Sequence, residues 1–162
     1  GPHTSAFDSY LVLRGLKTLH IRVRQQVENS LQIAKFLKGN KSVKSVIYPG
    51  LDDHEGHELS KKQCRGPGGS GLVSFYLTSE DLPSTKRVME SCKVFIQAGS
   101  LGAVESLISA PCLTSHDHLP REERERLGIT DNLIRLAIGI EDVEDLIVDL
   151  TQALNQLNES KQ

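Results

Sequence analysis

An arginine set in a strand-like run is the first residue of this sequence with clear chemical potential. The stretch Leu133-Ile134-Arg135-Leu136-Ala137-Ile138-Gly139-Ile140 alternates with a period of two. Ile134, Leu136, Ile138 and Ile140 therefore share one apolar face, which packs inward. Arg135 falls on the opposite face with Leu133, Ala137 and Gly139, where small neighbours leave room above a guanidinium. Its planar fork of donors matches a carboxylate through two parallel hydrogen bonds. The alternative is a solvated arginine on the wet face of a sheet, the commoner fate of that residue type. A second candidate is Ala98-Gly99-Ser100-Leu101-Gly102-Ala103-Val104-Glu105-Ser106, whose small residues around Ser100 let backbone approach a ligand closely. Taken alone, it reads as a connecting loop. Two further clusters, His54 and His57 with Cys64, and His116-Asp117-His118 with Cys112, lack the ligand spacing of metal sites and read as surface residues. The sign-alternating run from Arg121 to Arg126 reads as a solvated helix face.

These residues need elements to hold them. Leu16, Leu19, Val23, Val27, Leu31, Ala34 and Leu37 recur at spacings of three and four, which predicts a long helix closed by Gly39-Asn40. Tyr10 to Leu13 predicts a separate helical turn before it, with a bend at Gly15. Val43 to Tyr48 and Leu72 to Leu77 read as strands, the second placing Val73, Phe75 and Leu77 on one face. Between them, Asp52 to Gln63 reads as a short helix and Gly66 to Gly71 as a flexible loop. Asp81 to Ser91 predicts a helix with Pro83 in its first turn. Val94 to Ile96 reads as a short strand, and Gln97 to Pro120 shows no clean period. A short charged helix over Pro120 to Leu127 precedes the arginine strand. Val143, Leu146, Ile147, Leu150, Leu154 and Leu157 predict a final amphipathic helix with an acidic start. The expected fold is α+β: a small, mostly antiparallel sheet with helices on one face, preceded by a long linker helix. Its other face is left for solvent or another domain.

Composition bounds the function. The chain has 162 residues, and 19 Lys+Arg against 21 Asp+Glu leave a net charge of −2, which gives no counterion-release drive toward nucleic acid. No apolar run approaches the roughly 20 residues that span a bilayer. The first residues lack an apolar leader, and Gly1-Pro2 resembles the remnant of a cleaved affinity tag, so residues 1–5 are expected to be such a scar and a disordered start. Three widely spaced cysteines argue against a disulfide framework and for a reducing, cytoplasmic setting.

Several spaced motifs occur in order: Arg14-Gly15-Leu16-Lys17-Thr18-Leu19, Ser100-Leu101-Gly102 with Glu105-Ser106-Leu107, Leu127-Gly128-Ile129, Leu133-Ile134-Arg135-Leu136, and Gly139-Ile140-Glu141-Asp142-Val143-Glu144-Asp145-Leu146. Together they resemble the C-terminal part of the Cys/Met-metabolism family of pyridoxal-phosphate (PLP) enzymes. Its members include cystathionine γ-lyase, cystathionine β-lyase, cystathionine γ-synthase and methionine γ-lyase. The resemblance runs from about Ala6 to Leu157. Tyr48-Pro49-Gly50-Leu51, His57-Glu58-Leu59 and Gln63-Cys64 look most like the animal cystathionine γ-lyases.

The resemblance implies roles. Arg135 matches the family arginine that grips the substrate α-carboxylate, Ser100 the serine beside the cofactor lysine and that carboxylate, and Leu101 accompanies it with its backbone. Ser115 falls where the family usually has Thr, at the active-site wall. Gly99 departs from the family pattern: γ-lyases carry Glu there, and its loss implies a wider, less charged pocket for the distal part of a small amino-acid substrate. The lysine that anchors PLP and the phosphate cradle belong to an N-terminal PLP domain that this segment does not include. Ser84-Thr85-Lys86 only mimics the family's cofactor motif and reads as a solvated helix segment. The implied layout is linker helices over 6–40 and a substrate-side domain over 41–162. No residue of this stretch is then itself catalytic. PLP is expected in the intact enzyme and none covalently on this chain, which alone is expected to be inactive. The implied whole is a tetramer that cleaves cystathionine to cysteine, 2-oxobutanoate and ammonia, with hydrogen sulfide release from cysteine as a side activity. Methionine γ-lyase or cystathionine β-lyase activity, or a non-catalytic interaction module, are the alternatives.

Overall fold

Val73, Phe75 and Leu77 put three large apolar side chains on one side of a single strand, and all three are fully buried. The structure, a computed structural model, describes residues 3–64, 66 and 69–159. It builds a five-stranded sheet around that strand: β1 (Val43–Ile47), β2 (Leu72–Leu77), β3 (Ile96–Gln97), β4 (Leu107–Ser109) and β5 (Leu133–Ala137). The spatial order is β1-β2-β5-β4-β3, and every pair is antiparallel except β3 with β4. The helices are α1 (Ala6–Leu16), α2 (Leu19–Lys38), α3 (His57–Gln63), α4 (Leu82–Ser91), α5 (Arg121–Arg126) and α6 (Val143–Glu159). Ile33 and Leu37 of α2, Val88 and Met89 of α4, and Leu146, Leu150 and Leu154 of α6 join Phe75, Ile108, Ile134 and Leu136 in one buried cluster. Each such aliphatic side chain contributes about 1.5–3 kcal/mol on burial, so this face decides the fold. The α+β architecture with helices on one face is as the sequence predicts.

The differences have physical causes. The helical break falls at Lys17–Thr18 rather than Gly15, which lies inside α1; Thr18 leaves the helical region, and Arg22 donates to the Gly15 carbonyl at 2.9 Å across the joint. The expected strand over Val94–Ile96 moves to Ile96–Gln97, because the amides of residues 93–95 are claimed by a carboxylate. The stretch without a clean period contains β4, an interior strand of the sheet between β5 and β3. All three of its residues are buried, so no alternation marks it. β5 ends at Ala137 rather than Ile140, because Ile138 N–H turns to the Gly71 carbonyl and Ile140 N–H to that of Val104. Ile140 is exposed rather than packed. The helix expected over Asp52–Gln63 begins only at His57, after successive tight turns. The second face of β5 is not open throughout: Leu133 and Ala137 are buried there too. Residues 67 and 68 of the expected loop, and residues 1 and 2 of the expected scar, lie outside the described residues, whereas Ser5 caps α1 through its hydroxyl on Asp8 N–H.

The stripe on the first long helix divides in two. Val27, Ala34 and Leu37 are buried and Leu31 half-buried, whereas Leu16, Leu19 and Val23 are exposed. α1 buries no residue: Phe7 is 67% exposed and Leu13 61%. Among the described residues, no helix is long and apolar enough to cross a membrane. The three cysteines are free. Burial, with the nearby Asp149 charge adding, pushes the Cys92 thiol up to about 12, so it stays protonated at neutral pH.

Asp149 is the carboxylate that displaces β3. From a buried position on α6 it accepts from Lys93 N–H and Val94 N–H at 2.8 Å each and from Phe95 N–H at 3.1 Å. A neutral amide cannot accept from all three donors. Asp149→Asn is therefore expected to destabilise the fold by about 1.5–3 kcal/mol, read as a lower urea midpoint with an unchanged slope.

Candidate functional site

Arg135 occupies the middle of β5, flanked by Ser74 on β2 and Ser109 on β4. Its strand neighbours Ile134 and Leu136 point into the helix-covered core, so alternation aims Arg135 at the other face. There Nη2 donates to the Gly99 carbonyl at 2.9 Å and to the Ser100 carbonyl at 3.2 Å. Among the described residues no carboxylate pairs with it. Its Nε is shielded from solvent without a hydrogen-bond partner. A half-buried cation with an unused donor is costly unless an anion completes it. A donor left without a partner in this way suits one oxygen of a planar carboxylate.

The loop that supplies those carbonyls runs from Ala98 to Ser106 and is fixed at both roots. At one, Ile96 N–H donates to the Ser106 carbonyl at 3.0 Å and Ala98 N–H to that of Ile108 at 3.2 Å. At the other, Glu141 accepts from Ser106 N–H at 2.6 Å and from its hydroxyl at 2.8 Å, while that hydroxyl accepts from Gly139 N–H at 2.8 Å. From α2, Gln26 donates to the Ala103 carbonyl at 2.8 Å, and Asn29 donates to the carbonyls of Gly139 and Glu141 at 3.3 and 2.9 Å. Gly102, at φ 77°, turns the loop between these roots.

Of the residues singled out from the sequence, Arg135, Gly99 and Ser100 are thus brought together. Leu101 follows them, 57% exposed. It lines an apolar groove of about 260 Å³ with Val23, Val27, Leu72 and Ile138. Ser115 stays outside the cluster, its hydroxyl 2.8 Å from His116 Nδ1. A Cβ on Gly99 would meet nothing within 4 Å, so this position takes a side chain without strain. A cavity of about 650 Å³ lies elsewhere, between Lys35, Leu51, Asp52, His57 and Lys61. It has no part in the Arg135 cluster, and its lysines and aspartates offset one another. Among the described residues no three His, Cys, Asp or Glu side chains are grouped to hold a metal ion. His57 is buried with Nδ1 2.9 Å from the Pro49 carbonyl, rather than lying on the surface. No lysine lies on β5 or on the 98–106 loop, and Lys86 sits on α4, which packs on the sheet's other face. These residues therefore do not by themselves form a site for a lysine-anchored carbonyl cofactor.

Gln26, Asn29, Ser106 and Glu141 were not singled out as functional by pattern. A signal existed for the first two: Gln26, Asn29 and Ser30 share the buried side of α2 with Ile33, and polar residues on a buried stripe are there to hydrogen-bond. Gly139 is equally constrained. A Cβ there would lie 2.2 Å from the Val104 carbonyl oxygen and 2.4 Å from Glu141 Oε2. Gly139→Ala is expected to cost about 1–3 kcal/mol by overpacking and to speed amide exchange in residues 103–106. Native-like exchange there would contradict the tight approach.

Comparison with known proteins identifies the family. Residues 1–155 match the family described as Cys/Met metabolism PLP-dependent enzyme. The chain is 46% identical to the cystathionine gamma-lyase of Dictyostelium discoideum, over 96% of this chain and 40% of that protein. It is 49% identical to the cystathionine beta-lyase of Coxiella burnetii, over 95% of this chain and 39% of the relative. The crystal structure of metB from Corynebacterium glutamicum superposes with a TM-score of 0.85 at 40% identity, covering 97% of this chain and 39% of that one. The chain thus spans about 40% of the length of the relatives it matches.

Proposed function

Because the chain belongs to the Cys/Met-metabolism PLP-dependent enzymes, we propose that it supplies the substrate-carboxylate side of a trans-sulfuration active site. The observation that carries this reading is the Arg135 guanidinium, without an acidic partner among the described residues, held by two carbonyls and keeping its Nε unpaired. Arg135 binds the α-carboxylate of a small sulfur amino acid and so orients the bonds at its Cα, an effect of positioning rather than of proton transfer. Ser100 stands beside that carboxylate, with the Leu101 backbone next to it. PLP, when bound in the intact enzyme, supplies the electron sink for bond cleavage. Its lysine and phosphate site are contributed by residues outside this chain. The apolar side chains exposed on α1 and the start of α2, such as Phe7, Leu13 and Ile21, are where that larger part packs. The whole-enzyme reaction is cleavage of cystathionine, with water, to cysteine, 2-oxobutanoate and ammonia, and hydrogen sulfide release from cysteine is a secondary activity. The assembly is the tetramer of the family, working in the cytoplasm.

Two experiments test this. Incubating the 162-residue chain with PLP, reducing with borohydride and mapping peptides is expected to label no single lysine and to show no lyase turnover. Specific labelling with turnover would overturn the assignment of cofactor chemistry to another segment. In the enzyme that carries this segment with its cofactor part, Arg135→Lys is expected to lower kcat/KM about 10–100-fold by replacing the fork with a point charge.

Gly99 favours a distinct selectivity within the family. The open space at its Cβ gives a substrate's distal group room that a Glu side chain would fill and charge. In the intact enzyme Gly99→Glu is expected to shift preference toward cystathionine over methionine. An unchanged ratio of the two kcat/KM values would remove Gly99 from the selectivity argument.

A further inference from the structure

Glu141 lies outside the carboxylate grip, yet both of its oxygens are committed to one residue of the loop that makes the grip. Oε1 takes Ser106 N–H and Oε2 takes the Ser106 hydroxyl. Ser106 is completely buried, and its hydroxyl also receives Gly139 N–H, which lies four residues along the chain from Arg135. Charge-assisted bonds of this kind are stronger than neutral ones and more directional in their effect on a backbone. The loop between Ala98 and Ser106 is pinned at its first root by strand pairing. Its second root depends on Glu141, with Gln26 and the Ile140–Val104 bond as secondary ties. The loop's product is a pair of carbonyls, those of Gly99 and Ser100, which take Nη2 of Arg135 and leave Nε unoccupied.

We propose that Glu141 is a positioning residue: by gripping Ser106 it sets the 98–106 loop, and through the Gly99 and Ser100 carbonyls it fixes the direction of the Arg135 fork. The coupling from Glu141 to Arg135 stands on these bonds alone. Its value for binding a substrate carboxylate rests on the function proposed above. The geometry also explains a pattern the sequence leaves unconnected, since Glu105-Ser106-Leu107 and Gly139-Ile140-Glu141 are distant runs that meet in this one contact.

The test uses the 162-residue chain and three variants, Glu141→Gln, Ser106→Ala and Asp81→Ala. Asp81 caps α4 on the far side of the sheet, so its loss destabilises without touching the loop. Amide exchange and the Arg135 Nε–H resonance are read by NMR, with β2 amides as the internal reference for global stability. Glu141→Gln and Ser106→Ala are each expected to speed exchange of amides 99–106 about tenfold relative to β2, and to shift and broaden the Arg135 Nε–H signal. Asp81→Ala should change all amides in step and leave Arg135 in place. An Arg135 signal unmoved in both loop variants, or moved equally by Asp81→Ala, overturns the proposal. Titrating the unmodified chain with acetate separates the two readings. An Arg135 signal that ignores acetate would remove the carboxylate role, while the response to Glu141→Gln still decides the coupling.

Discussion

The structure depends on one unneutralised charge. Arg135 stands on the central strand of the sheet, where a cation is expensive to keep, and no acid is provided for it. Two backbone carbonyls offset part of that cost with their dipoles. The remainder is uncompensated in this fold, and the proposed carboxylate role rests on that: partial satisfaction in the free state and completion on binding. The surrounding polar contacts follow from this. A loop must be brought over the strand at the right height, and a chain of part-buried hydrogen bonds from α2 and from Glu141, just before α6, brings it there.

Much of this was legible in the sequence. The period-two pattern of β2 and the three-four spacing of α6 and of the second half of α2 each follow from burial on a single face, while β5 shows its alternation in the one half-buried arginine among buried neighbours. The arginine was visible as the one charge in an apolar alternation. The illegible parts have a common cause. β4 carries no alternation because both its faces are covered, and β3 is displaced because the Asp149 carboxylate takes its amides, a contact spanning more than fifty residues. The association of Gly99 and Ser100 with Arg135 is likewise long-range. It rested on family resemblance before the coordinates gave it a distance. Ser115 had only the resemblance, and the fold leaves it in a turn of its own.

The two halves of α2 show the same division in another form. The second half packs on the sheet and behaves as core, while the first half and α1 present Leu, Val and Phe to water. Isolated exposed apolar residues are ordinary, but a run of them over two successive helices is what an interface looks like with its partner absent. The short length of this chain against its relatives gives that surface a natural covering.

The order of the strands has a consequence for how the molecule is made. β5 is the last strand to be synthesised, yet it sits at the centre and joins β1-β2 on one side to β4-β3 on the other. Until it leaves the ribosome, the earlier strands form two separate pieces with unpaired edges. α6, which roofs the core, emerges later still. This segment therefore gains its cooperative fold only after β5 and α6 are both made, and its earlier strands are prone to self-association until then.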